Sequence, residues 1–201
     1  LPIDPSSMTR WRKRLGPHKL EELLTMTIHT AKEEKLLTEK HLERVNVDTT
    51  VQEKAIAFPT DARLYHKARR VLVRVARKMK ITLRQSYERN GRKAFLKQGR
   101  YASAGQYNRA KKEAKKLKTM LGRVIRDIER KSSKPEGWLA KALNLARAIL
   151  NQKRNDKNKV YSVHAPEVEC IAKGKVHKKY EFGCKVSMVS SSKDNWILAI
   201  D

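Results

Sequence analysis

The chain has 201 residues, of which 47 are Lys or Arg, 21 are Asp or Glu, and 39% are hydrophobic. This apolar content is enough for one or two modest cores and excludes a disordered chain. The net charge of +26 favours a polyanionic partner, above all nucleic acid. No run approaches the ~18 consecutive apolar residues of a membrane span, so no membrane partner is expected.

The cysteines and the two chain ends add further expectations. Cys170 and Cys184 are too few and too far apart for a disulfide scaffold or a zinc site with four protein ligands. We expect both to be small hydrophobic residues in a reducing compartment. The chain starts without Met and without a signal pattern, and it stops directly after an apolar run at residues 196–200. Both ends are therefore interpreted as cuts through a longer protein.

Residues 1–40 are predicted to be a helical lead-in. Ser6 or Ser7 can cap a short helix that runs through Arg14, and Gly16 followed by Pro17 breaks it. A second helix is predicted from an apolar stripe made of Leu20, Leu23, Leu24, Ile28 and Ala31. Two helices joined at a glycine allow a DNA-binding helix-turn-helix. The alternative is a lead-in that packs beside the sheet.

The next element is a strand, because the apolar period changes to two. Val45, Val47, Thr49 and Val51 share one face, and Asp48 lies on the opposite face beside Thr50. We expect the valines to be buried and Asp48 to be reachable from solvent near the strand end. A carboxylate on a rigid strand suits Mg²⁺-dependent phosphoryl transfer, because one or two carboxylates hold this ion together with water and substrate phosphate oxygens. The alternative is a solvated aspartate.

The positive charge is concentrated in residues 62–159. They contain 31 Lys or Arg and 6 Asp or Glu, a net charge of +25, whereas the rest contains 16 and 15, a net charge of +1. This excess goes beyond ordinary solubility needs. We predict contact with the DNA backbone through two basic helices, rather than merely solvated helix faces. The predicted contacts are Arg70, Arg74, Arg77, Lys78, Lys111, Lys112, Lys115 and Lys116.

Three helices are predicted in this segment. The first has a basic exterior and an apolar stripe of Leu64, Ala68, Val71, Val75 and Met79. The second has a seam that predicts a helical hairpin or a coiled coil, made of Tyr107, Ala110, Ala114, Leu117, Leu121, Val124 and Ile128. Pro135 can occupy the first turn of the third, which ends at the polar run 151–159. Its stripe is Leu139, Ala142, Leu143, Ala146 and Ile149.

Strand periodicity returns after the helices. Residues 180–188 alternate between apolar and polar side chains, and the polar stretch 190–195 turns the chain into a short strand at residues 196–200. The predicted fold is α+β, with a sheet interrupted after its first strand by a basic helical insertion. The domains are residues 1–40, the first strand region 41–61, the insertion 62–159 and further strands at 160–201.

Several sequence blocks resemble the DDE transposases of bacterial insertion sequences, in particular the insertion sequence five group and its close relatives. The first block is VNVDTTVQEK at residues 45–54, followed by AFPTD at residues 57–61. The second comprises HAPEVEC at residues 164–170, KGK at residues 173–175 and YEFG at residues 180–183. The opening DPSS at residues 4–7 and WRKR at residues 11–14 also resemble the segment that precedes the catalytic domain.

The resemblance implies a ribonuclease-H-like domain that cuts and joins double-stranded DNA in the bacterial cytoplasm, where DNA binding would keep it at the nucleoid. The family uses two divalent metals, Mg²⁺ or Mn²⁺, held by Asp, Asp and Glu. The first Asp corresponds to Asp48, and the other two acids are expected beyond Asp201. Asp201 follows a strand but matches no catalytic block. The chain is thus expected to be inactive by itself, and a homodimer is an alternative to a monomer.

Other candidate residues have simpler interpretations. Asp61 lies where a helix begins, so a capping role is favoured over metal binding. His164, Glu167 and Glu169 match no recognised ligand spacing. Gly174 lies outside any phosphate-cradling glycine loop, which argues against a nucleotide site. The main functional alternative is a non-enzymatic basic nucleic-acid-binding protein, and a third is a coiled-coil assembly protein built on the seam from Tyr107 to Ile128.

Overall fold

The computed structural model describes residues 4–132, 134–172 and 179–200. The KGK part of the second resembling block and Asp201 lie outside these ranges. In chain order, the elements are α1 (Pro5–Glu33), α2 (Glu39–Leu42), β1 (Val45–Glu53), α3 (Asp61–Lys78), α4 (Glu88–Ser103), α5 (Tyr107–Lys131), α6 (Gly137–Asn151), β2 (Glu169–Ile171), β3 (Glu181–Ser191) and β4 (Ile197–Ile200). The chain contains both helices and strands, so the predicted α+β class is confirmed.

The chain divides into two compact units. Unit 1 comprises Leu1–Gln52 and Lys185–Asp201, and unit 2 comprises Glu53–Cys184. Helices α3 to α6 all belong to unit 2, whereas α1, α2 and β4 belong to unit 1. Among the described residues, none of the helices combines the length and the hydropathy that crossing a bilayer requires.

The core of unit 2 is made by four helices. Helix α3 packs against α4, α5 and α6, and α4 and α5 form an antiparallel hairpin. The turn of this hairpin contains Gly105, whose φ of +69° is accessible to glycine at little cost. Leu72, Leu121, Leu139 and Leu143 are completely buried in this core. Each such side chain contributes roughly 1.5–3 kcal/mol through the loss of apolar surface to water.

The buried face of α3 differs from the predicted stripe. Leu64 and Ala68 are buried as expected, but Val71 and Val75 are only partly buried and Met79 is exposed. Burial is instead centred on a row that lies one position further along the helix, namely Tyr65, Ala68, Arg69, Leu72, Val73 and Ala76. Because three helices cover α3, its buried face is wider than a single stripe and includes a charged residue.

The seam of α5 is confirmed from Ala110 onward. Leu117, Leu121, Val124 and Ile128 are buried in the core of unit 2, whereas Tyr107 is 74% exposed. The structure therefore selects the hairpin over the coiled coil. Because the seam packs against helices of its own unit, its apolar side chains are not available for assembly with another chain.

Helix α6 also follows its predicted stripe, with Leu139, Leu143, Ala146 and Ile149 buried. Its first turn differs from the prediction. The helix begins at Gly137 with Glu136 as the N-cap, so Pro135 lies before the helix and not in its first turn.

The four described strands form one sheet in the order β1-β3-β2, with β4 also paired to β3. Strand β3 is antiparallel to β2, with Cys170 opposite Phe182, and antiparallel to β4, with Val189 opposite Ala199. The predicted strands at 180–188 and 196–200 are therefore confirmed. In unit 1, the N–H of Ser192 donates to the carbonyl of Arg44 at 3.0 Å, next to the start of β1.

Helix α1, with 29 residues, is the longest element of unit 1. Gly16 has φ +74° and ψ 175°, so the predicted break at Gly16 and Pro17 is confirmed as a kink. The predicted cap is wrong, because Asp4 is the N-cap and accepts the N–H of Ser6 at 2.7 Å. Helix α1 contacts β4, consistent with a lead-in that packs beside the sheet.

Candidate nucleic-acid interface

One face of α3 carries four basic residues that were predicted as DNA contacts. Arg70, Arg74, Arg77 and Lys78 recur at intervals that bring them to one side of the helix, and all four are exposed. The opposite face packs in the core and fixes the orientation of the basic one. A long amphipathic helix thus presents a row of cations on a rigid support.

These four side chains line a cleft between α3 and α4 that we call the cationic cleft. Its volume is about 700 Å³, and it is lined by His66, Arg69, Arg70, Arg74, Arg77, Lys78, Glu88, Arg92, Phe95 and Leu96. Six of the lining residues are Arg or Lys and one is Glu. Glu88 pairs with Arg77 at 2.9 Å, so no other acid in the lining of the cleft neutralises the remaining cations. The cleft is suited to phosphate oxygens.

The floor of the cationic cleft contains a buried guanidinium. Arg69 is 1% exposed, and its Nη1 donates to the carbonyl of Ser86 at 2.7 Å. Burial lowers the pKa of Arg69 from its ordinary value, with Glu88 acting in the opposite direction. Within the described residues its Nε finds no hydrogen-bond acceptor. Gly91 makes room for this group, because a Cβ there would lie 2.8 Å from the Arg69 Nε.

His66 lies beside this arginine. Its ring stacks on that of Phe95, with centroids 4.7 Å apart and an interplanar angle of 8°. Burial is the main cause that lowers the pKa of His66 to about 4, and the charges of Arg69 and Arg70 lower it further. The imidazole is therefore neutral at neutral pH and serves as packing beneath the basic face. Neither His66 nor Arg69 was predicted from the sequence, because a polar residue on a basic helix is ordinarily assigned to the solvent side.

The second predicted quartet lies on α5. Lys111, Lys112, Lys115 and Lys116 are all exposed, and none of them lines the cationic cleft. Lys116 donates to Glu113 at 2.6 Å, while Glu113 itself is buried. In the described part of the chain, no acidic residue pairs with Lys111, Lys112 or Lys115. These three lysines remain available to an external anion.

The few acids of the basic segment are mostly engaged within it. Glu88, Glu113, Asp127 and Glu129 each form ion pairs with nearby Arg or Lys. Asp156 accepts the N–H of Lys153 at 2.7 Å. Because these acids are paired already, they cannot neutralise the remaining Lys and Arg side chains of residues 62–159. The positive excess of the segment is therefore carried by exposed side chains.

Asp48 lies on β1 and is exposed, as expected. The expected burial of the valines is wrong. Val47 is 70% exposed, Val45 is also exposed, and Val51 is partly buried. Strand β1 is at one end of the strand order, beside β3. Its period-two pattern separates an apolar face from a polar face, but most side chains on both faces are exposed. The carboxylate is thus accessible.

The structure brings together the two blocks that carry the family resemblance. In unit 2, the N–H of Lys54 donates to the carbonyl of Phe182 at 3.0 Å, and its ammonium pairs with Glu167. This hydrogen-bonded pairing lowers the pKa of Glu167 and raises that of Lys54. The ring of Phe182 meets that of Phe58 edge to face at 5.7 Å. The blocks were recognised separately in the sequence, but no pattern predicted this pairing.

A cavity of about 360 Å³ lies next to this pairing in unit 2. It is lined by Lys54, Ala55, Ile56, Ala57, Pro59, Arg63, Leu64, Lys67, Tyr161, Ser162, Val163, His164 and Ala165. Its basic side chains come from both resembling blocks and from the first turns of α3. From the sequence, roles were predicted in the first block only for Asp48 and Asp61, and no pattern predicted this cavity.

The described residues do not complete a metal site. Among them, no group of three or more His, Cys, Asp or Glu side chains is placed to hold a metal ion. Glu167 is paired with Lys54. His164 is exposed and belongs to no group of three potential metal ligands among the described residues. Asp48 could supply one ligand, whereas a two-metal centre needs several carboxylates, so these residues do not fit the pair of ions that the resemblance implies. Asp61 begins α3, but the cap is Thr60, whose side chain accepts the N–H of Arg63 at 3.3 Å.

Comparison with known proteins finds a relative in Rhizobium meliloti. The chain is 56% identical over 106 residues to a protein of Rhizobium meliloti described as "Uncharacterized protein ORF8 in nfe locus". The match covers 53% of this chain and about half, 51%, of the relative. No protein-family model matches the chain, and no solved structure matches it.

Proposed function

We propose that this chain is part of a DDE-type DNA transposase and binds double-stranded DNA through the basic faces of α3 and α5. The observation that carries the proposal is the row of exposed cations that lines the cationic cleft, with the acids of the same segment already paired. The transposase class rests on the resembling blocks around Asp48 and Glu167. The sheet of β1 to β4 would then belong to a ribonuclease-H-like catalytic domain.

Asp48 is the proposed catalytic and metal-holding acid. Its exposure on β1 leaves the carboxylate open to a Mg²⁺ or Mn²⁺ ion and a DNA phosphate. The two further acids that the resemblance implies are not identified in the 201 residues. Residues 1–201 by themselves are therefore expected to bind DNA without cutting it.

Salt-dependent DNA binding tests the binding half of this proposal. The affinity for a fluorescent duplex is measured over a range of salt concentrations, for the chain and for a variant with Gln at Arg70, Arg74, Lys111 and Lys115. For the unchanged chain, log affinity should fall against log salt with a slope of about 0.9 for each phosphate contacted. The variant should bind more weakly and with a shallower slope.

A matched variant controls for net charge. Gln at Lys134, Lys141, Arg154 and Lys157 removes the same number of positive charges, four, from exposed positions outside the cationic cleft and α5. Its slope should stay close to that of the unchanged chain. Affinity that does not depend on salt, or equal losses in the two variants, would contradict binding through these faces.

A non-enzymatic nucleic-acid-binding protein is the second candidate function. The observation that favours it is the row of exposed cations in the cationic cleft, which accounts for DNA binding without any catalytic residue. The two candidates predict the same DNA binding and differ in the role of Asp48. Cleavage that depends on Asp48 distinguishes them.

A further inference from the structure

A further basic cavity of unit 2 lies outside the predicted DNA contacts. Its volume is about 590 Å³, and its lining consists of Arg84, Gln85, Tyr87, Arg123, Arg126, Asp127 and Arg130. We call it the arginine pocket. It shares no lining residue with the cationic cleft, and none of its arginines was singled out from the sequence.

The pocket is built on two segments that the fold holds together. Arg123, Arg126 and Arg130 follow one face of α5, because they are three and four positions apart. Arg84 belongs to the connection between α3 and α4. The hydroxyl of Tyr87 is 3.5 Å from the Nη1 of Arg123, at the other end of the same connection. Guanidinium groups from two segments therefore converge on one cavity.

Asp127 anchors the connection to α5. Its carboxylate accepts the N–H of Arg84 at 2.7 Å and the ammonium of Lys131 at 3.2 Å. Lys131 in turn donates to the carbonyl of Thr82 at 2.6 Å. Burial raises the pKa of Asp127, but the Arg84 N–H and Lys131 outweigh it and hold the value below its ordinary range. The acid is thus ionised and already occupied by contacts that shape the pocket.

The charges of the pocket are not balanced within the protein. Its lining has four arginines against the single acid Asp127. Arg130 lies 3.5 Å from Asp127, whereas no described residue pairs with the guanidinium of Arg84 or Arg126. Like charges that face one cavity repel each other, and an anion between them relieves this repulsion. Guanidinium groups bind phosphate oxygens through paired N–H donors, which makes phosphate the chemically matched anion.

The length of the basic row favours a strand over a single phosphate ion. From Arg123 to Arg130 the helix rises by roughly 10 Å, at ~1.5 Å per residue. Successive phosphates along one strand of a duplex rise by ~3.4 Å along the duplex axis, so the row is longer than one phosphate spacing and can reach at least two of them. We propose that the arginine pocket binds successive phosphate groups of a nucleic-acid strand. This inference rests on the proposed DNA binding and adds a contact that is separate from the cationic cleft.

The proposal is tested with a variant in which Arg123 and Arg126 are both Gln. Duplex affinity is measured against salt for this variant, for the unchanged chain and for a control with Gln at Arg154 and Lys157. The pocket variant should lower the slope of log affinity against log salt by about 1.8, which corresponds to two phosphate contacts at ~0.9 each. Its affinity at moderate salt should fall at least about tenfold, and the control should change the slope by less than about 0.5.

The outcomes separate this inference from the proposed function. If the unchanged chain binds DNA with a steep salt dependence and the pocket variant is identical to it, the arginine pocket is not a contact although DNA binding stands. If the unchanged chain binds no DNA, both fail. Inorganic pyrophosphate and ATP are titrated in parallel by calorimetry. If these bind and the pocket variant abolishes their binding without changing DNA affinity, the site is one for free phosphates and the strand assignment is wrong.

Asp127 provides a second test, as a positioning residue. Asp127→Asn keeps an oxygen that can accept the Arg84 N–H and removes one negative charge, so DNA affinity should stay equal or increase. Asp127→Leu makes the same charge change without an acceptor, so affinity should fall at least about fivefold relative to the Asn variant. Circular dichroism verifies that both variants are folded at the assay temperature. Equal affinities in two folded variants would overturn the anchoring role.

Discussion

Lys54 and Glu167 are 113 residues apart in the chain, and their side chains form an ion pair. The pair joins the two sequence blocks on which the proposed transposase class rests. The bond from the Lys54 N–H to Phe182 and the ring contact between Phe58 and Phe182 act at the same place. Three independent kinds of contact therefore hold the two blocks together in unit 2.

The ring contacts of Phe182 should contribute to stability. Phe182 meets Phe58 at 5.7 Å and Tyr161 at 5.6 Å between ring centroids. Phe182→Leu keeps an apolar side chain but removes both ring pairs, and we expect it to lower the free energy of unfolding in urea by about 1 kcal/mol. Trp138→Leu is the control, because Trp138 is 84% exposed and should change stability by less than about 0.5 kcal/mol. Equal losses in the two variants would show that the Phe182 contacts contribute nothing specific.

Two glycines of α4 should respond in opposite directions to the same substitution. Alanine is favoured over glycine inside a helix, so Gly99→Ala, with no atom within 4 Å of the added Cβ, should stabilise the protein by about 0.5–1 kcal/mol. Gly91→Ala should instead destabilise it by about 1–3 kcal/mol, because the new Cβ displaces the buried Arg69 guanidinium from Ser86. Thermal or urea unfolding of both variants measures the difference. Stabilisation by both would mean that the Arg69 contact can relax without cost.

His66 should make stability depend on pH in a defined window. Its folded-state pKa is lowered to about 4 from the ordinary 6.5, so the unfolded chain binds the proton more readily. The contribution is complete above pH 6.5 and is lost as the pH falls toward 4, by up to about 3 kcal/mol. Asp127, whose pKa is lowered, contributes in the same direction but only below about pH 4.

The measurement is the free energy of unfolding at several pH values for the unchanged chain and for His66→Leu. The variant should lose less stability between pH 6.5 and 4, because it has no imidazole to protonate in the unfolded state. Parallel curves for the two proteins over this window would mean that His66 is not the group responsible.

Sequence periodicity predicted the elements that have one clear buried stripe. The seam of α5 and the stripe of α6 lie in the core because each helix has its apolar residues on one side. Helix α4 was not predicted individually, since Gly91 and Gly99 weaken its helical propensity and its packing against α5 stabilises it instead. The exposure of β1 was also missed, because alternation reports the polarity of two faces and not whether a neighbour covers them.

In the candidate sites as well, some residues could be predicted from local sequence patterns and others could not. Basic residues on exposed faces, such as Arg70 and Arg74, could be selected from charge and helical spacing alone. The pairing of Lys54 with Glu167 and the convergence of Arg84 on Arg126 bring together segments that are distant in sequence. Local patterns contain no information about such convergence.

The central claim is tested most directly by DNA strand cleavage with Mg²⁺, measured for the complete product of the gene and for its Asp48→Asn variant. Asp48→Asn should abolish cleavage, because a neutral amide no longer supplies the charge that helps to hold the metal, while DNA affinity should change little. Asp61→Asn is the matched control and should leave cleavage intact, since Thr60 caps α3. Cleavage that persists in Asp48→Asn, or that Asp61→Asn abolishes equally, would contradict the assignment of Asp48 and favour a binding protein without catalysis.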